Sequence, residues 1–173
     1  SRVTPSLPHS KMPSLTQLAT SLWFIFSLLV AWPLLLLVQI PFFIAHKYLG
    51  HDPRRVWLGN IFRFFNALAL WSNPFIRIRT KHDHRVPKKT QKVIVTSNHQ
   101  SNLDPFVLSA SLLPLETKYV GKGSLFSLPL GGWAMTLAGD IPIHFVSKSY
   151  TDMTTVKGSS RKCMETMAST LTG

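Results

Sequence analysis

The chain has 173 residues, enough for one domain with a hydrophobic core, since domains typically hold about 100–200 residues. Hydrophobic residues make up 45% of it, which excludes an intrinsically disordered chain, and its single cysteine, Cys163, excludes an intrachain disulfide and a zinc site built on cysteines. The formal net charge of +12 favours polyanionic partners, namely nucleic acid, anionic lipid headgroups or phosphate-bearing small molecules.

The N-terminal part of the chain divides into two segments of different composition. Residues 1–13 are rich in proline and carry basic side chains, which predicts a flexible, basic leader. Residues 14–50 contain the apolar stretch Leu22 to Ala45, which is longer than the roughly 20 residues that a helix needs to cross a bilayer core of about 30 Å. Because Pro33 and Pro41 each kink a helix, we expect either a membrane-spanning helix or a kinked hairpin that enters one leaflet.

Residues 51–73 are predicted to form an amphipathic helix at a membrane surface. Asp52-Pro53 has the form of a helix N-cap followed by proline at the first helical position. Apolar residues then recur at helical spacing, and basic residues such as Arg63 lie between them, so we expect the basic side chains to face lipid headgroups. A soluble core helix is the alternative, since its pattern is the same. Basic residues are more numerous after the apolar segment than before it, which favours a cytosolic C-terminal side.

Short apolar runs alternate with helical patterns over residues 74–173, which predicts an α/β domain around a mostly parallel sheet. The predicted strands are 75–79, 93–95, 118–120 and 141–145. The predicted helices run from Ser101 or Asp104 to about Leu113, from Ser124 to Leu137 and from Ser159 to Leu171.

The candidate for chemistry lies where the second of these strands leads into a helix. A loop at such a junction can fold back, so that the Asp104 carboxylate bonds one imidazole nitrogen of His99 and leaves the other nitrogen free as a base. The alternative is structural, because Ser101 and Asp104 have the spacing of a helix-capping box, with Pro105 in the first turn. Spacing alone favours capping.

Three segments in order change that balance, namely NHQSNLD after a strand, then YVGKGSLFSLPLGGW, then AGDIPI. They resemble the 1-acyl-sn-glycerol-3-phosphate acyltransferase family, which also has a membrane-embedded N-terminal region. The resemblance implies a glycerolipid acyltransferase-like α/β domain preceded by membrane helices. It implies transfer of a fatty acyl group from acyl-CoA to the sn-2 hydroxyl of 1-acyl-glycerol 3-phosphate (lysophosphatidic acid), which gives phosphatidic acid.

The resemblance also implies roles for single residues. His99 is the general base that takes the proton of the attacking hydroxyl, and Asp104 orients and polarises it. Asn98 and Ser101 shape the substrate-binding loop. Lys122 is the candidate phosphate ligand, with a solvated surface lysine as its alternative. Gly139 begins the second substrate-binding segment.

Two departures from the family pattern affect these expectations. The family's second segment usually carries an arginine where this chain has Phe145, and His144 or Lys148 are the candidates to replace it. The family's third segment, Glu-Gly-Thr-Arg, is absent, so we expect the chain to end just before it. We therefore expect the 173-residue piece alone to have little or no activity.

Several alternatives stay open at this point. The acceptor can instead be glycerol 3-phosphate or another lysophospholipid, and a non-catalytic basic membrane protein with the same fold is a rival of another class. The long apolar segment disfavours nucleic acid as a partner. We expect acyl-CoA, lysophosphatidic acid and membrane lipids as partners, no bound cofactor and no metal, since His82-Asp83-His84 is typical of a solvated loop. The expected host is the endoplasmic reticulum membrane, with a cytosolic catalytic domain, and the plastid envelope is the second alternative.

Overall fold

A computed structural model describes residues 14–79, 81, 92–146 and 154–172. The elements are α1 (Leu15–Leu49), α2 (Val56–Trp71), α3 (Asp104–Leu112), β1 (Val120–Lys122), a 3₁₀ helix (Gly123–Ser127), α4 (Gly131–Ala138), β2 (Ile141–Ile143) and α5 (Ser159–Thr172). The two strands pair in parallel, with Val120 opposite Ile141. The predicted leader, the His82-Asp83-His84 turn and Lys148 lie outside the described residues.

The apolar N-terminal segment forms one continuous helix of 35 residues, α1, and not a hairpin. No glycine or asparagine, the residues that favour a reversing turn, lies between Leu22 and Ala45, and each proline removes only one backbone donor. A capping box of Ser14 and Gln17 closes the start of α1, and Gly50 in the left-handed conformation (φ 66°) ends it. Of the described helices, α1 is the one long and apolar enough to cross a membrane, so the expected plural membrane helices reduce to one candidate.

The helix α2 runs antiparallel beside α1, and the two pack along much of their length. Near the start of α1, the side-chain amide of Asn73 donates to the backbone oxygen of Thr20 at 3.0 Å. Toward its end, the buried Gln39 amide donates to the backbone oxygen of Leu58 at 3.1 Å. Between these points lies the core, whose buried members come from α1, α2 and α4: Leu35, Phe62, Ala134 and Ala138. The domain therefore lies alongside α1 and not beyond its end.

The prediction for residues 51–73 is wrong about the environment of Arg63 and places the start of the helix too early. Arg63 does not face headgroups, because it lies on the inner face of α2, is 1% exposed and forms an ion pair with Asp140. Asp52 does cap the helix, since its carboxylate accepts the backbone N–H of Val56 at 2.6 Å and of Trp57 at 2.8 Å. The helix nevertheless begins at Val56, because Arg55 adopts the left-handed conformation (φ 55°), and the adjacent proline stands outside the first turn.

The predicted strands 75–79 and 93–95 are not strands, since neither has a ladder partner among the described residues. A strand exists only where another strand satisfies its backbone groups, and among the described residues β1 and β2 pair with each other alone. The predicted strands 118–120 and 141–145 are present in displaced or shortened form as β1 and β2. The predicted helix 124–137 divides into the 3₁₀ helix and α4, because Pro129 lacks a backbone donor and keeps Leu128 extended.

The start of α4 leaves no room for a side chain at Gly132. A Cβ there would lie 2.5 Å from the backbone oxygen of Phe126 and 2.6 Å from that of Leu125. Backbone atoms cannot swing aside, so we expect Gly132→Ala to lower the free energy of unfolding by about 1–3 kcal/mol. Thermal and denaturant unfolding in detergent measure the change.

Gly121→Ala is the matched control. Its Cβ would meet Met135 Cε at 3.3 Å, and the end of a methionine side chain moves easily. If both variants were equally stable, the close approach at Gly132 would have no energetic weight.

Candidate active site

The structure brings His99 and Asp104 into contact. His99 Nδ1 lies 2.9 Å from Asp104 Oδ2. The five-residue spacing permits this because the chain turns before α3, where the backbone N–H of Asp104 donates to the backbone oxygen of Ser101 at 3.0 Å. The turn folds the imidazole back over the start of the helix.

The Asp104 carboxylate is held by three donors at one oxygen. Besides the imidazole, Oδ2 accepts the backbone N–H of Gln100 at 2.6 Å and that of Ser101 at 2.9 Å. The hydrogen bond from Ser101, then that from Gln100, and to a lesser degree the contact with His99 lower the pKa of Asp104 below its ordinary value. Asp104 is therefore an ionised acceptor, so in the neutral form of His99 the ring proton lies on Nδ1 and the lone pair on Nε2.

Capping and chemistry, which the sequence presents as alternatives, use the same carboxylate. Asp104 accepts the backbone N–H of Ser101, as the acidic member of a capping box does. The reciprocal bond is not formed, since Ser101 Oγ accepts from Leu103 N at 3.2 Å and not from Asp104 N. Asp104 thus closes the turn before α3 and orients His99 at the same time.

The imidazole is open to a substrate. The His99 side chain is 69% exposed, against 25% for Asp104. Within the described part of the chain, the hydrogen bond to Asp104 is the one that His99 makes. Phe106, in the first turn of α3, packs edge-on against Phe24 of α1 with ring centroids 4.8 Å apart. The turn that holds His99 and Asp104 therefore lies beside the N-terminal half of the apolar helix.

The remaining predicted site residues occupy different places. Asn98 and Ser101 are exposed and flank the His99 turn. Lys122 is the last residue of β1 and is partly buried. Gly139 ends α4 in the left-handed conformation (φ 81°), where a Cβ would meet Arg55 Cδ at 3.3 Å. The structure gives Gly139 the role of a helix terminator.

Of the two candidates to replace the missing arginine, the structure describes His144. His144 lies directly over Gly123, which follows Lys122 in the chain, and a Cβ on Gly123 would collide with the imidazole. Lys148 lies outside the described residues. Phe145 forms a single antiparallel bridge with Thr155. His144 lies one residue beyond Ile143, the residue of β2 opposite Lys122.

A buried cluster of charges beside β1 was missed by the sequence analysis. Arg63 and Asp140 form an ion pair, and Glu116 and Lys118 form another at 2.6 Å. Burial raises the pKa of Glu116 and lowers that of Lys118, while the attraction between them opposes both shifts. The available signal was a single arginine between apolar residues of α2, which needs a buried partner if that face is the inner one. No group of three metal-ligating side chains occurs among the residues that the structure describes.

Comparison with known proteins gives a family match and several relatives. A family model described as Acyltransferase matches residues 77–171, more than half of the chain. A chloroplastic 1-acyl-sn-glycerol-3-phosphate acyltransferase of Arabidopsis thaliana is 28% identical over 113 residues, which are 61% of this chain and 31% of the relative. No solved structure matches.

Two further relatives carry the same enzyme name. The chloroplastic 1-acyl-sn-glycerol-3-phosphate acyltransferase of Brassica napus is 31% identical over 86 residues, covering 47% of this chain and 24% of the relative. A 1-acyl-sn-glycerol-3-phosphate acyltransferase of Chlamydomonas reinhardtii is 27% identical over 134 residues, which are 78% of this chain and 39% of the relative. The chain thus spans between about a quarter and two fifths of the length of the curated relatives it matches.

The lowered pKa of Asp104 predicts a pH-dependent contribution to stability. The ionised carboxylate stabilises the folded chain above the ordinary pKa of 3.8, and this contribution is lost as the pH falls through the lowered value. We expect Asp104→Asn to be less stable than the parent at pH 7, and the difference to narrow below about pH 4. Parallel denaturant titrations at pH 7 and pH 3 measure it. A difference that does not change with pH would contradict the assigned charge.

Proposed function

Because the chain belongs to the acyltransferase family, we propose that this protein transfers a fatty acyl group from acyl-CoA to the sn-2 hydroxyl of 1-acyl-glycerol 3-phosphate, forming phosphatidic acid. The observation that carries the proposal is the contact between the exposed His99 imidazole and the ionised Asp104 carboxylate. The relatives named as 1-acyl-sn-glycerol-3-phosphate acyltransferases support the choice of acceptor.

In the proposed reaction, the acceptor hydroxyl donates its hydrogen bond to His99 Nε2. The hydroxyl oxygen attacks the thioester carbonyl, a carbon–oxygen bond forms, and His99 takes the proton. The carbon–sulfur bond then breaks, and the imidazolium returns the proton to the leaving thiolate of CoA. Asp104 keeps its negative charge throughout, holds the ring through Nδ1 and stabilises the imidazolium, as the carboxylate of a catalytic triad does.

The phosphate of the acceptor needs a cation, and Lys122 is the proposed ligand. It lies in the part of the chain that resembles the family, at the end of β1 where the chain enters the 3₁₀ helix. His144 lies over Gly123, the next residue along the chain, and is the proposed second donor. This pair takes the place of the arginine that the family carries at the position of Phe145.

The surface of α1 supports a membrane location for the reaction. Large apolar side chains that no described residue covers run along its whole length: Leu15, Leu22, Phe26, Leu29, Leu37 and Leu49. Since α2 packs along α1, both helices approach the lipid together, which brings the start of α3 close to it. Two relatives are chloroplastic, so we propose a plastid membrane as host; the expected endoplasmic reticulum has no support among the relatives.

Replacement of the proposed base tests the mechanism directly. We expect His99→Ala in the full-length protein to lower kcat by about 10²–10⁴, the usual contribution of general-base catalysis, with 1-acyl-glycerol 3-phosphate and acyl-CoA as substrates. The melting temperature should hardly change, because the His99 side chain is 69% exposed. His51→Ala, at an exposed histidine at the far end of α1, is the control. Activity that survives in His99→Ala would show that the protein does not use this base.

Replacement of Lys122 tests the proposed phosphate ligand. We expect Lys122→Ala to raise KM for 1-acyl-glycerol 3-phosphate about tenfold or more, since a hydrogen bond to a charged group contributes about 1.5–3 kcal/mol. Turnover of 1-acylglycerol, which lacks the phosphate, should not change. Lys162→Ala, at an exposed lysine of α5, is the control. An equal loss with both acceptors would assign Lys122 to folding and not to phosphate binding.

A further inference from the structure

We propose that Tyr119 is a positioning residue for the catalytic pair, an inference that rests on the proposed function. Tyr119 immediately precedes β1, and its hydroxyl reaches the first turn of α3, the helix that begins with Asp104. Tyr119 Oη lies 3.3 Å from Ser109 Oγ and 3.4 Å from the backbone oxygen of Pro105. Pro105 follows Asp104 in the chain, so this hydroxyl contacts the backbone of the residue next to the one that holds His99.

The three groups are joined by hydrogen bonds. Ser109 is 1% exposed, and its hydroxyl donates to the backbone oxygen of Pro105 at 2.8 Å. With its proton used in that bond, Ser109 Oγ is an acceptor, and the single proton of the Tyr119 hydroxyl is shared between Ser109 Oγ and the backbone oxygen of Pro105. Hydrogen bonds in such a chain polarise and strengthen one another in a buried setting. These bonds hold the carbonyl of Pro105, and so the plane of the peptide between Pro105 and Phe106 in the first turn of α3.

Tyr119 itself is held from the other side by the buried ion pair. The Arg63 guanidinium carbon lies 3.6 Å from the centroid of the Tyr119 ring, a close cation–π contact. Asp140 Oδ1, which pairs with Arg63, also accepts the backbone N–H of Tyr119 at 2.9 Å. The ring and the backbone of Tyr119 are thus both tied to one ion pair, which leaves its hydroxyl little freedom to move.

The ion pair is better explained by positioning than by stability alone. Both side chains are at most 1% exposed, and Arg63 Nη1 and Asp140 Oδ2 have no hydrogen-bond partner among the described residues. Burying charges with unsatisfied atoms is costly, and apolar residues of similar volume often serve stability equally well. What apolar residues cannot supply is a cation over the Tyr119 ring together with an acceptor for its backbone. Catalytic groups need placement within about 0.5 Å, which such a rigid support provides.

The test removes the hydroxyl and leaves the ring. In the full-length protein, we expect Tyr119→Phe to lower kcat about three- to tenfold, with KM for both substrates within about twofold of the parent, because one hydrogen bond is lost and no substrate contact is. Ser109→Ala should lower kcat to a similar degree. The double variant should be no slower than the slower single variant, since the two hydroxyls belong to one chain.

Tyr48→Phe is the matched control, because the same atom is removed from a side chain that is 71% exposed, and we expect no change in kcat. A purely structural role predicts a lower melting temperature for Tyr119→Phe with unchanged kcat per folded molecule, and that result would overturn the inference. Additive losses in the double variant would overturn it as well. The same assay separates the two proposals. If the parent protein does not acylate 1-acyl-glycerol 3-phosphate, the proposed function fails, and if His99→Ala stays active, the proposed base fails. If the parent is active and His99→Ala is inactive while Tyr119→Phe is normal, only the positioning role fails.

Discussion

The ion pair between Arg63 and Asp140 joins the helical layer to the two-stranded sheet. Arg63 extends from the inner face of α2 and bonds both the Asp140 carboxylate and the backbone oxygen of Thr117, the latter at 3.0 Å. Asp140 in turn stands between α4 and β2 and bonds the backbone just before β1. With both partners buried, loss of either one leaves an uncompensated charge, which is far more costly than loss of an apolar contact. The relative placement of α2, β1 and β2 depends on this interaction.

A second carboxylate, that of Asp104, determines the geometry of the candidate site. Asp104 accepts three hydrogen bonds at one oxygen, two from the backbone of the turn and one from His99. This carboxylate both stabilises the turn and selects the imidazole tautomer. Asp104 can therefore cap the turn and orient His99 at once, and the two roles do not exclude each other. Asp104 therefore adds little free-energy cost as a partner of His99, because the backbone N–H groups at the helix start need an acceptor at this position in any case.

The long apolar helix has two faces with different roles. One face packs on α2, α3 and α4, and its buried members include Leu35 and Gln39. The other face exposes large apolar side chains from one end to the other. Because the domain packs along α1, the turn that holds His99 lies beside the same helix that carries the exposed apolar face.

Local sequence predicted the features that depend on neighbouring residues. Composition predicted the apolar helix but left a kinked hairpin open, and turn chemistry placed the start of α3 at Ser101 or Asp104. The five-residue spacing allowed the contact of Asp104 with His99 but by itself favoured capping. The parallel pairing of β1 and β2 follows from the alternation of strands and helices. That the family's third segment, Glu-Gly-Thr-Arg, follows this chain remains a prediction.

Only the tertiary structure decided features that depend on distant residues. Val93, Ile94 and Val95 have strand composition but no strand beside them among the described residues, so they remain exposed at 46%, 62% and 50%. Arg63 has the sequence signature of a surface residue, and its partner Asp140 follows 77 positions later. Periodicity tells which residues share a face of a helix, but it cannot tell which distant charge that face will meet, since that depends on how the helix and the sheet pack together.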